Sequence, residues 1–254
     1  MRIHLICCQV FYREISALCA VSPHITTVSW LPQGLHDTPE LLRKSVTQEI
    51  NRVENWKEEE RRRKPDYIVL GYGLCSNGTV GLQSGEIPLV IPRTDDCIGI
   101  FLGSQKRYLR LFAEYPGTYW LNNGWIESAF IPTEEQYSNL RKYYEREYGE
   151  ENADFLMESA LSWIKNYRNC GYIESAVYRD PSYRETAKQM AQKNGWTFHQ
   201  FDGDNAVLQK MVNGPYDTDT FLICPPYHRV VACYDGCKFD AAPLEEKDNI
   251  LPKR

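Results

Sequence analysis

The hydrophobic positions of the chain fall into short apolar runs that alternate with longer amphipathic stretches. The apolar runs are rich in β-branched and aromatic residues and are bounded by glycine, proline or polar turn residues, which is typical of buried strands. The pattern predicts strands over 2–8, 25–31, 67–70, 89–91, 117–121, 171–177, 196–201, 220–223 and 229–234.

Stretches with helical spacing of hydrophobic residues separate several of these strands. The clearest helix begins at Thr38-Pro39-Glu40, where a capping hydroxyl precedes a proline at the first helical position. We expect this helix to continue to about Lys64. The same spacing predicts helices over 97–115 and 181–194, and two more within 133–168.

This order of strands and helices predicts an α/β fold with parallel sheets in two Rossmann-like lobes around one cleft. We expect an N-terminal lobe over 1–130, a helical connecting segment over 131–169, and a C-terminal lobe over 170–254.

Charge and composition restrict the function more than they restrict the fold. The 254 residues carry a formal net charge of −5, which argues against a dedicated nucleic-acid-binding protein. No apolar stretch reaches the ~20 residues needed to cross a membrane. We therefore expect a cytoplasmic protein with a small-molecule substrate, whose nine cysteines stay reduced and need another role.

Several of these cysteines directly follow predicted strands. Cys7 and Cys8 end the first strand, Cys75 follows the strand 67–70, and Cys97 follows the strand 89–91. Loops after parallel strands gather at one edge of an α/β sheet. We therefore predict that Cys75, Cys97 and one of Cys7 or Cys8 meet there as thiolate ligands of a metal.

A set of three thiolate ligands is compatible with either of two kinds of metal centre. Zinc takes four ligands and keeps one position open in catalytic sites, and a [4Fe–4S] cluster bound by three thiolates leaves one iron free. We favour the cluster because a sulfur-rich ligand set is soft, with Zn²⁺ as the other candidate. His36 is a candidate fourth ligand or proton donor, and a contribution from Cys224 is left open. Alternatively, the cysteines are small core residues at strand ends, or a metal-free nucleophilic or redox pair.

Polar residues near Cys97 are further candidates. Asp95 is a candidate for proton transfer, whereas Asp96 is expected to cap the helix that starts at Cys97. Arg93 is expected either to hold a carboxylate or phosphate group or to pair with one of these two aspartates.

The turn around Cys75 supplies candidate cofactor-binding positions. Gly71 and Gly73 permit close approach of the backbone, and amides of this turn, which includes Asn77, could hold an anion. Trp125 offers an aromatic face that could bind a methylated amine.

Several motifs together resemble a known family. They are Gly71-Tyr72-Gly73-Leu74-Cys75, Pro92-Arg93, Asp96-Cys97-Ile98, Leu102-Gly103-Ser104, Gly34-Leu35-His36 and Gly124-Trp125. Over about residues 3–235 the chain resembles the domain-of-unknown-function family 1638. Many members have histidine where this chain has Asp95, so Asp95 either takes over that role or the role is lost.

The family comes largely from strict anaerobes, and its genes often lie near corrinoid-dependent methyltransferases. The resemblance therefore implies one-carbon metabolism, with a corrinoid protein or a methyltransferase as a partner. Combined with the cysteines, it predicts a metal-thiolate enzyme of anaerobic one-carbon or sulfur metabolism, with transferase or lyase chemistry at an open metal position. The alternative is a non-catalytic metal or corrinoid accessory, or a small-ligand-binding protein.

Overall fold

The computed structural model describes residues 1–57, 63–233 and 238–245. Its strands are β1 (Arg2–Cys8), β2 (Ile25–Leu31), β3 (Tyr67–Gly71), β4 (Leu89–Pro92), β5 (Thr118–Leu121), β6 (Asn169–Glu174), β7 (Thr197–Asp202), β8 (Phe221–Cys224), β9 (His228–Ala232) and β10 (Phe239–Pro243). Its α-helices are α1 (Tyr12–Ala20), α2 (Pro39–Glu54), α3 (Cys97–Phe101), α4 (Gln105–Glu114), α5 (Asn123–Ser128), α6 (Glu134–Tyr148), α7 (Glu150–Ala160), α8 (Pro181–Lys193) and α9 (Ala206–Asn213).

The chain forms two compact units. The first combines Met1–Arg107 with Asp204–Arg254, and the second is Tyr108–Gly203. The predicted boundaries at 130 and 170 differ from this division, because the chain returns to the first unit after β7 and places β8 beside β4. Hydrophobic spacing reveals that a strand exists, but it does not reveal which sheet the strand joins.

The first unit is built on a five-stranded sheet with the order β2-β1-β3-β4-β8. Strands β2, β1, β3 and β4 are parallel, whereas β8 runs antiparallel to β4. Strands β1, β3 and β4 are almost entirely buried, as expected for central strands of an α/β sheet. A separate antiparallel pair, β9 and β10, belongs to the same unit.

The second unit contains a three-stranded parallel sheet with the order β5-β6-β7. Its core includes Leu121 on β5, Tyr172 on β6 and Met190 on α8, with Trp196 just before β7. The predicted α/β class with parallel sheets and Rossmann-like character is therefore confirmed. The predicted helical segment within 133–168 is also present, as α6 and α7.

Several local predictions need correction. The single helix expected over 97–115 is two helices, α3 and α4, separated at Gly103, whose φ of +73° ends a helix readily. The helix from Pro39 ends at Glu54, and residues 58–62 of its predicted extension lie outside the described residues. The elements α5, α9 and β10 were not predicted, because they are short and lie beside polar turn residues. None of the described helices has the length and hydrophobicity that a membrane crossing requires.

We predict that the second unit folds as an independent domain. It is one continuous segment with its own core, and the main-chain N–H of Asp204, where the chain re-enters the first unit, donates to the Phe101 carbonyl at 2.9 Å. A fragment spanning 104–203, which keeps α4 whole, should therefore unfold in one cooperative thermal transition followed by circular dichroism. The same fragment with Leu121→Asp in its core should lose that transition, and a gradual melt of the unsubstituted fragment would contradict the prediction.

Candidate functional site

The ends of three adjacent parallel strands carry the candidate cysteines. Cys8 is the last residue of β1, Cys75 follows β3, and Cys97 begins α3 after β4. Residues Ile3–Cys7 of β1 pair with Tyr67–Gly71 of β3, and β3 in turn pairs with β4. The three cysteines therefore belong to one carboxyl edge of the sheet, where α/β proteins bind ligands.

Main-chain hydrogen bonds join the loops that follow β3 and β4. The N–H of Leu74 donates to the carbonyl of Thr94, and the N–H of Cys75 donates to the carbonyl of Asp95, both at 2.8 Å. Gly73 permits this approach, because a Cβ at its position would lie 2.5 Å from the Thr94 carbonyl oxygen. This pairing holds the Cys75 backbone beside the segment that leads to Cys97.

The loop at Cys75 has an unusual backbone conformation. Cys75, Ser76 and Asn77 are three consecutive non-glycine residues with positive φ angles of 46°, 56° and 65°. Left-handed conformations of such residues cost roughly 1–3 kcal/mol each and cluster at functional sites. The Arg43 guanidinium, which donates to the carbonyls of Asn77 and Val80, helps to stabilise the turn.

The thiols of Cys8, Cys75 and Cys97 interact with one another electrostatically. Burial is the main cause that raises the pKa of Cys8 to about 11 and that of Cys75 to about 12. Burial also raises the pKa of Cys97 well above its usual value, and the charges of Asp96, Cys75 and Cys8 add to this effect. All three side chains are therefore protonated thiols at neutral pH in the absence of a bound cation.

Main-chain N–H groups partly oppose this effect at each sulfur. The amides of Gln9 and Val10 favour the thiolate of Cys8, the amide of Gly73 favours that of Cys75, and Cys97 is helped by its own amide. Hydrogen bonds to sulfur are one means by which proteins tune metal-bound thiolates. These N–H groups reduce the effect of burial on the three thiol pKa values but do not reverse it.

Cys7 has different neighbours from Cys8. It is fully buried, and the thiols that most raise its pKa after burial itself are first Cys19 and then Cys8. A Cβ on Gly71 would lie 2.5 Å from its sulfur, so the Cys7 side chain occupies the space that this glycine leaves. Of the two candidates, Cys8 is the one that interacts with Cys75 and Cys97.

Cys224 is placed by its strand direction. It ends β8, which runs antiparallel to β4, and it pairs with Leu89 at the start of β4. It therefore lies at the amino edge of the parallel strands, whereas Cys75 and Cys97 follow their carboxyl ends. The thiolate site that we describe does not include Cys224.

Tyr72 is a buried residue of this edge whose hydroxyl had no role predicted from the sequence. Its side chain is 4% exposed, and its hydroxyl has no hydrogen-bond partner among the described residues. Burial raises its pKa well above the usual value, and the neighbouring thiols of Cys8, Cys7, Cys75 and Cys97 raise it further. The sequence signal was its position between two glycines at the end of a buried strand.

The polar residues around Cys97 have structural contacts. The expected cap is confirmed, because the Asp96 carboxylate accepts from the Ile98 N–H at 2.9 Å. Asp95 accepts from the side-chain amide of Gln105 at 2.6 Å and forms an ion pair with Lys238. These contacts hold the Asp95 carboxylate in place, and its role in proton transfer stays a prediction.

Arg93 anchors distant segments of the first unit. Its guanidinium donates to the carbonyls of Thr218 at 3.0 Å and Phe239 at 2.6 Å, and it lies over the Phe239 ring. These bonds explain why an arginine suits this position without an anionic ligand, and the binding role of Arg93 stays a prediction.

The remaining candidates lie in different surroundings. The His36 imidazole lies 3.4 Å from the Asp37 carboxylate in a short 3₁₀ turn. Trp125 belongs to the second unit, where its ring packs against the core. The structure does not join either side chain to the cysteines through a described contact, so their roles stay predictions.

The cysteines do not have ready-made ligand geometry. Within residues 1–57, 63–233 and 238–245, no group of three or more His, Cys, Asp or Glu side chains is arranged to hold a metal ion. Elsewhere, Cys233 is disulfide-bonded, which differs from the expectation that all the cysteines are reduced.

Comparison with known proteins places the chain in a family. The model described as "Protein of unknown function (DUF1638)" matches residues 30–212, which is more than half of the chain, and the chain belongs to this family. The predicted family resemblance is thereby confirmed. The match includes Cys75 and Cys97 but begins after Cys8. No curated protein and no solved structure matches the chain.

We predict opposite effects on stability when two buried tyrosines lose their hydroxyls. Tyr172 donates to the Asn123 side-chain oxygen at 2.7 Å, so Tyr172→Phe leaves a buried acceptor unpaired and should cost about 1–3 kcal/mol. Tyr72→Phe removes a hydroxyl that has no partner within residues 1–57, 63–233 and 238–245, and it should leave the free energy of unfolding unchanged or raise it. Denaturant unfolding of chelator-treated protein under reducing conditions measures both. An equal loss in the two variants would show that the Tyr72 hydroxyl has a partner.

Proposed function

We propose that Cys8, Cys75 and Cys97 are the protein ligands of a metal-thiolate centre with one open position for a small-molecule substrate. The observation that carries the proposal is the position of these three cysteines directly after adjacent parallel strands, at the carboxyl edge of one sheet. The buried Tyr72 hydroxyl, which has no partner in the described part of the chain, supports a ligand at the same edge. Asp95, Arg93 and His36 remain candidates for proton transfer and substrate binding.

Three thiolates at this edge would need a cation to balance their charge. Burial makes three adjacent thiolates unfavourable, and the nearby Asp96 carboxylate increases the cost. A metal ion supplies positive charge at short range and takes the place of the thiol protons. Once the metal has displaced the thiol protons, the amides of Gln9 and Val10 would stabilise the thiolate of Cys8, and the amide of Gly73 would stabilise that of Cys75.

The choice of metal follows from the ligand type. A set of thiolates without histidine is soft, which suits an iron–sulfur cluster or zinc. We favour [4Fe–4S], with Zn²⁺ as the second candidate. Either centre would act as a Lewis acid, and zinc would also lower the pKa of a bound thiol. The chain would contribute the ligands, the surrounding amides and a largely buried setting.

The metabolic setting that we propose rests on family membership. The resemblance implies anaerobic one-carbon or sulfur metabolism in the cytoplasm, with a corrinoid protein or methyltransferase as a partner. A soft metal with an open position suits transferase or lyase chemistry on a substrate that binds through sulfur.

A non-catalytic metal-handling accessory is the second candidate function. The Asp96 carboxylate lies close enough to Cys75 and Cys97 to raise the pKa of both thiols. If Asp96 becomes a fourth ligand, the site is closed, and closed four-ligand sites are structural or storage sites rather than catalytic ones.

Anaerobic purification followed by metal and sulfide analysis tests the proposal. Wild-type protein should contain either iron with equal acid-labile sulfide or zinc, and Cys8→Ala should lose most of that metal. Cys7→Ala is the matched control: it alters the neighbouring residue of the same strand, whose side chain packs against Gly71, and it should retain the metal. Absence of iron and zinc from wild-type protein never exposed to air, or equal retention in both variants, would overturn the proposal.

The metal affinity should depend steeply on pH. The pKa values of about 11 for Cys8 and about 12 for Cys75 mean that metal binding must displace protons from folded protein. The apparent zinc affinity should rise about tenfold per pH unit for each displaced proton. The rise should continue above pH 9, where a thiol of ordinary pKa levels off. Competition with a chelator measures the slope, which should fall by one proton in Cys8→Ala. A slope that flattens below pH 9 would contradict the raised pKa values.

A further inference from the structure

The helices α6 and α7 form a hairpin over residues 134–160 that is barely buried. Every residue of the two helices is described, and among them only Ala153 on α7 is buried. The helices pack chiefly against each other, and the Tyr137 hydroxyl ties the amino end of α6 to the Asn194 side chain at 2.7 Å. Helices in proteins are stabilised mainly by packing an apolar face against other elements. The described part of the chain provides little such packing for this hairpin.

The outward face of the hairpin presents aromatic side chains to solvent. The exposed aromatic residues of the hairpin are Tyr143, Tyr148 and Phe155. Phe155 is 72% exposed and lies on the side of α7 opposite the buried Ala153. Residues three and four apart are neighbours on a helix surface, so Glu151 and Glu158 lie on either side of Phe155. An exposed apolar side chain is therefore flanked by two carboxylates.

The hairpin carries the net negative charge of the whole chain. Its residues 134–160 include eight acidic and three basic side chains, whereas the rest of the chain has equal numbers of both kinds. Two of the three basic residues, Arg141 and Arg146, already form ion pairs within the hairpin. Glu158 lies 3.7 Å from Lys165, but both side chains are largely exposed, so this pair holds Glu158 only weakly. The hairpin therefore attracts positively charged surfaces.

We propose that the outward face of α7 around Phe155 binds a basic amphipathic helix of a partner protein. The apolar face of that helix covers Phe155, and its lysine or arginine side chains lie beside Glu151 and Glu158. A second copy of the hairpin would bring like charges together, and the same charge repels nucleic acids and anionic lipids. The inference does not depend on the proposed metal centre.

Fluorescence anisotropy with labelled peptides tests the proposal on the intact chain. The first probe is a helical amphipathic peptide of leucine and lysine. The second has alanine in place of each leucine, so it keeps the charge but lacks the apolar face. The test variant is Phe155→Ala. Phe112→Ala is the matched control, because Phe112 is an exposed phenylalanine of the same unit on α4, a helix with three basic residues and one acidic residue.

The leucine–lysine peptide should bind the wild-type chain, and Phe155→Ala should weaken that binding about tenfold, since a buried phenylalanine contact is lost. Phe112→Ala should change the affinity by less than about twofold, and the alanine–lysine peptide should not distinguish the variants. Replacing both flanking acids, as Glu151→Gln with Glu158→Gln, should weaken binding of the leucine–lysine peptide and reduce its dependence on salt. Circular dichroism should show unchanged thermal unfolding in Phe155→Ala, because the side chain is exposed.

Two results of the peptide titration would overturn the inference. They are absence of binding by the wild-type chain and equal weakening by Phe155→Ala and Phe112→Ala. Sedimentation of the protein alone and flotation with phosphatidylcholine vesicles test other occupants of the face. A dimer or a vesicle complex that is lost in Phe155→Ala would assign the face to a second copy or to a membrane, and would likewise overturn the inference. The proposed metal site would be unaffected by any of these results.

Discussion

The candidate site depends on two main-chain hydrogen bonds between the loops that follow β3 and β4. They join Leu74 to Thr94 and Cys75 to Asp95, and they fix two segments that are distant in sequence side by side. Gly73 allows the close approach, since any side chain there would collide with Thr94. Without this pairing, Cys75 and Cys97 would follow neighbouring strands but would have no fixed relation to each other.

The edge of the sheet combines features that each reduce stability. Three consecutive positive φ angles begin at Cys75, and the buried Tyr72 hydroxyl is unpaired among the residues that the structure describes. Unfavourable conformations of this kind persist when the surrounding structure holds them in place, and they are concentrated at functional sites. A ligand with an acceptor atom beside Tyr72 would relieve the second cost. The cysteines and the tyrosine share one edge of the sheet, which is why we treat them as one site.

The sequence predicts those parts of the site that follow from strand direction. The apolar runs before Cys8, Cys75 and Cys97 identify buried parallel strands, and that alone places the three residues at one edge. The choice between Cys7 and Cys8 could not be made, because it depends on which face of β1 each side chain occupies. Cys224 is excluded because β8 runs antiparallel to β4. The spacing of hydrophobic residues does not reveal the direction of a strand, so the sequence could not predict this. The division of the chain into two units could not be predicted from the sequence either, because it depends on which distant strands pair.

We propose that three sulfurs of one chain bind one metal at this edge. X-ray absorption at the iron or zinc edge of anaerobically purified protein tests it most directly, because the fine structure counts sulfur neighbours. For zinc we predict a shell of protein sulfurs at about 2.3 Å that loses one member in Cys8→Ala and none in Cys7→Ala. For iron, the first shell should likewise consist of sulfur. It should change in Cys8→Ala and stay the same in Cys7→Ala. A first shell of nitrogen and oxygen alone would show that these cysteines do not bind the metal.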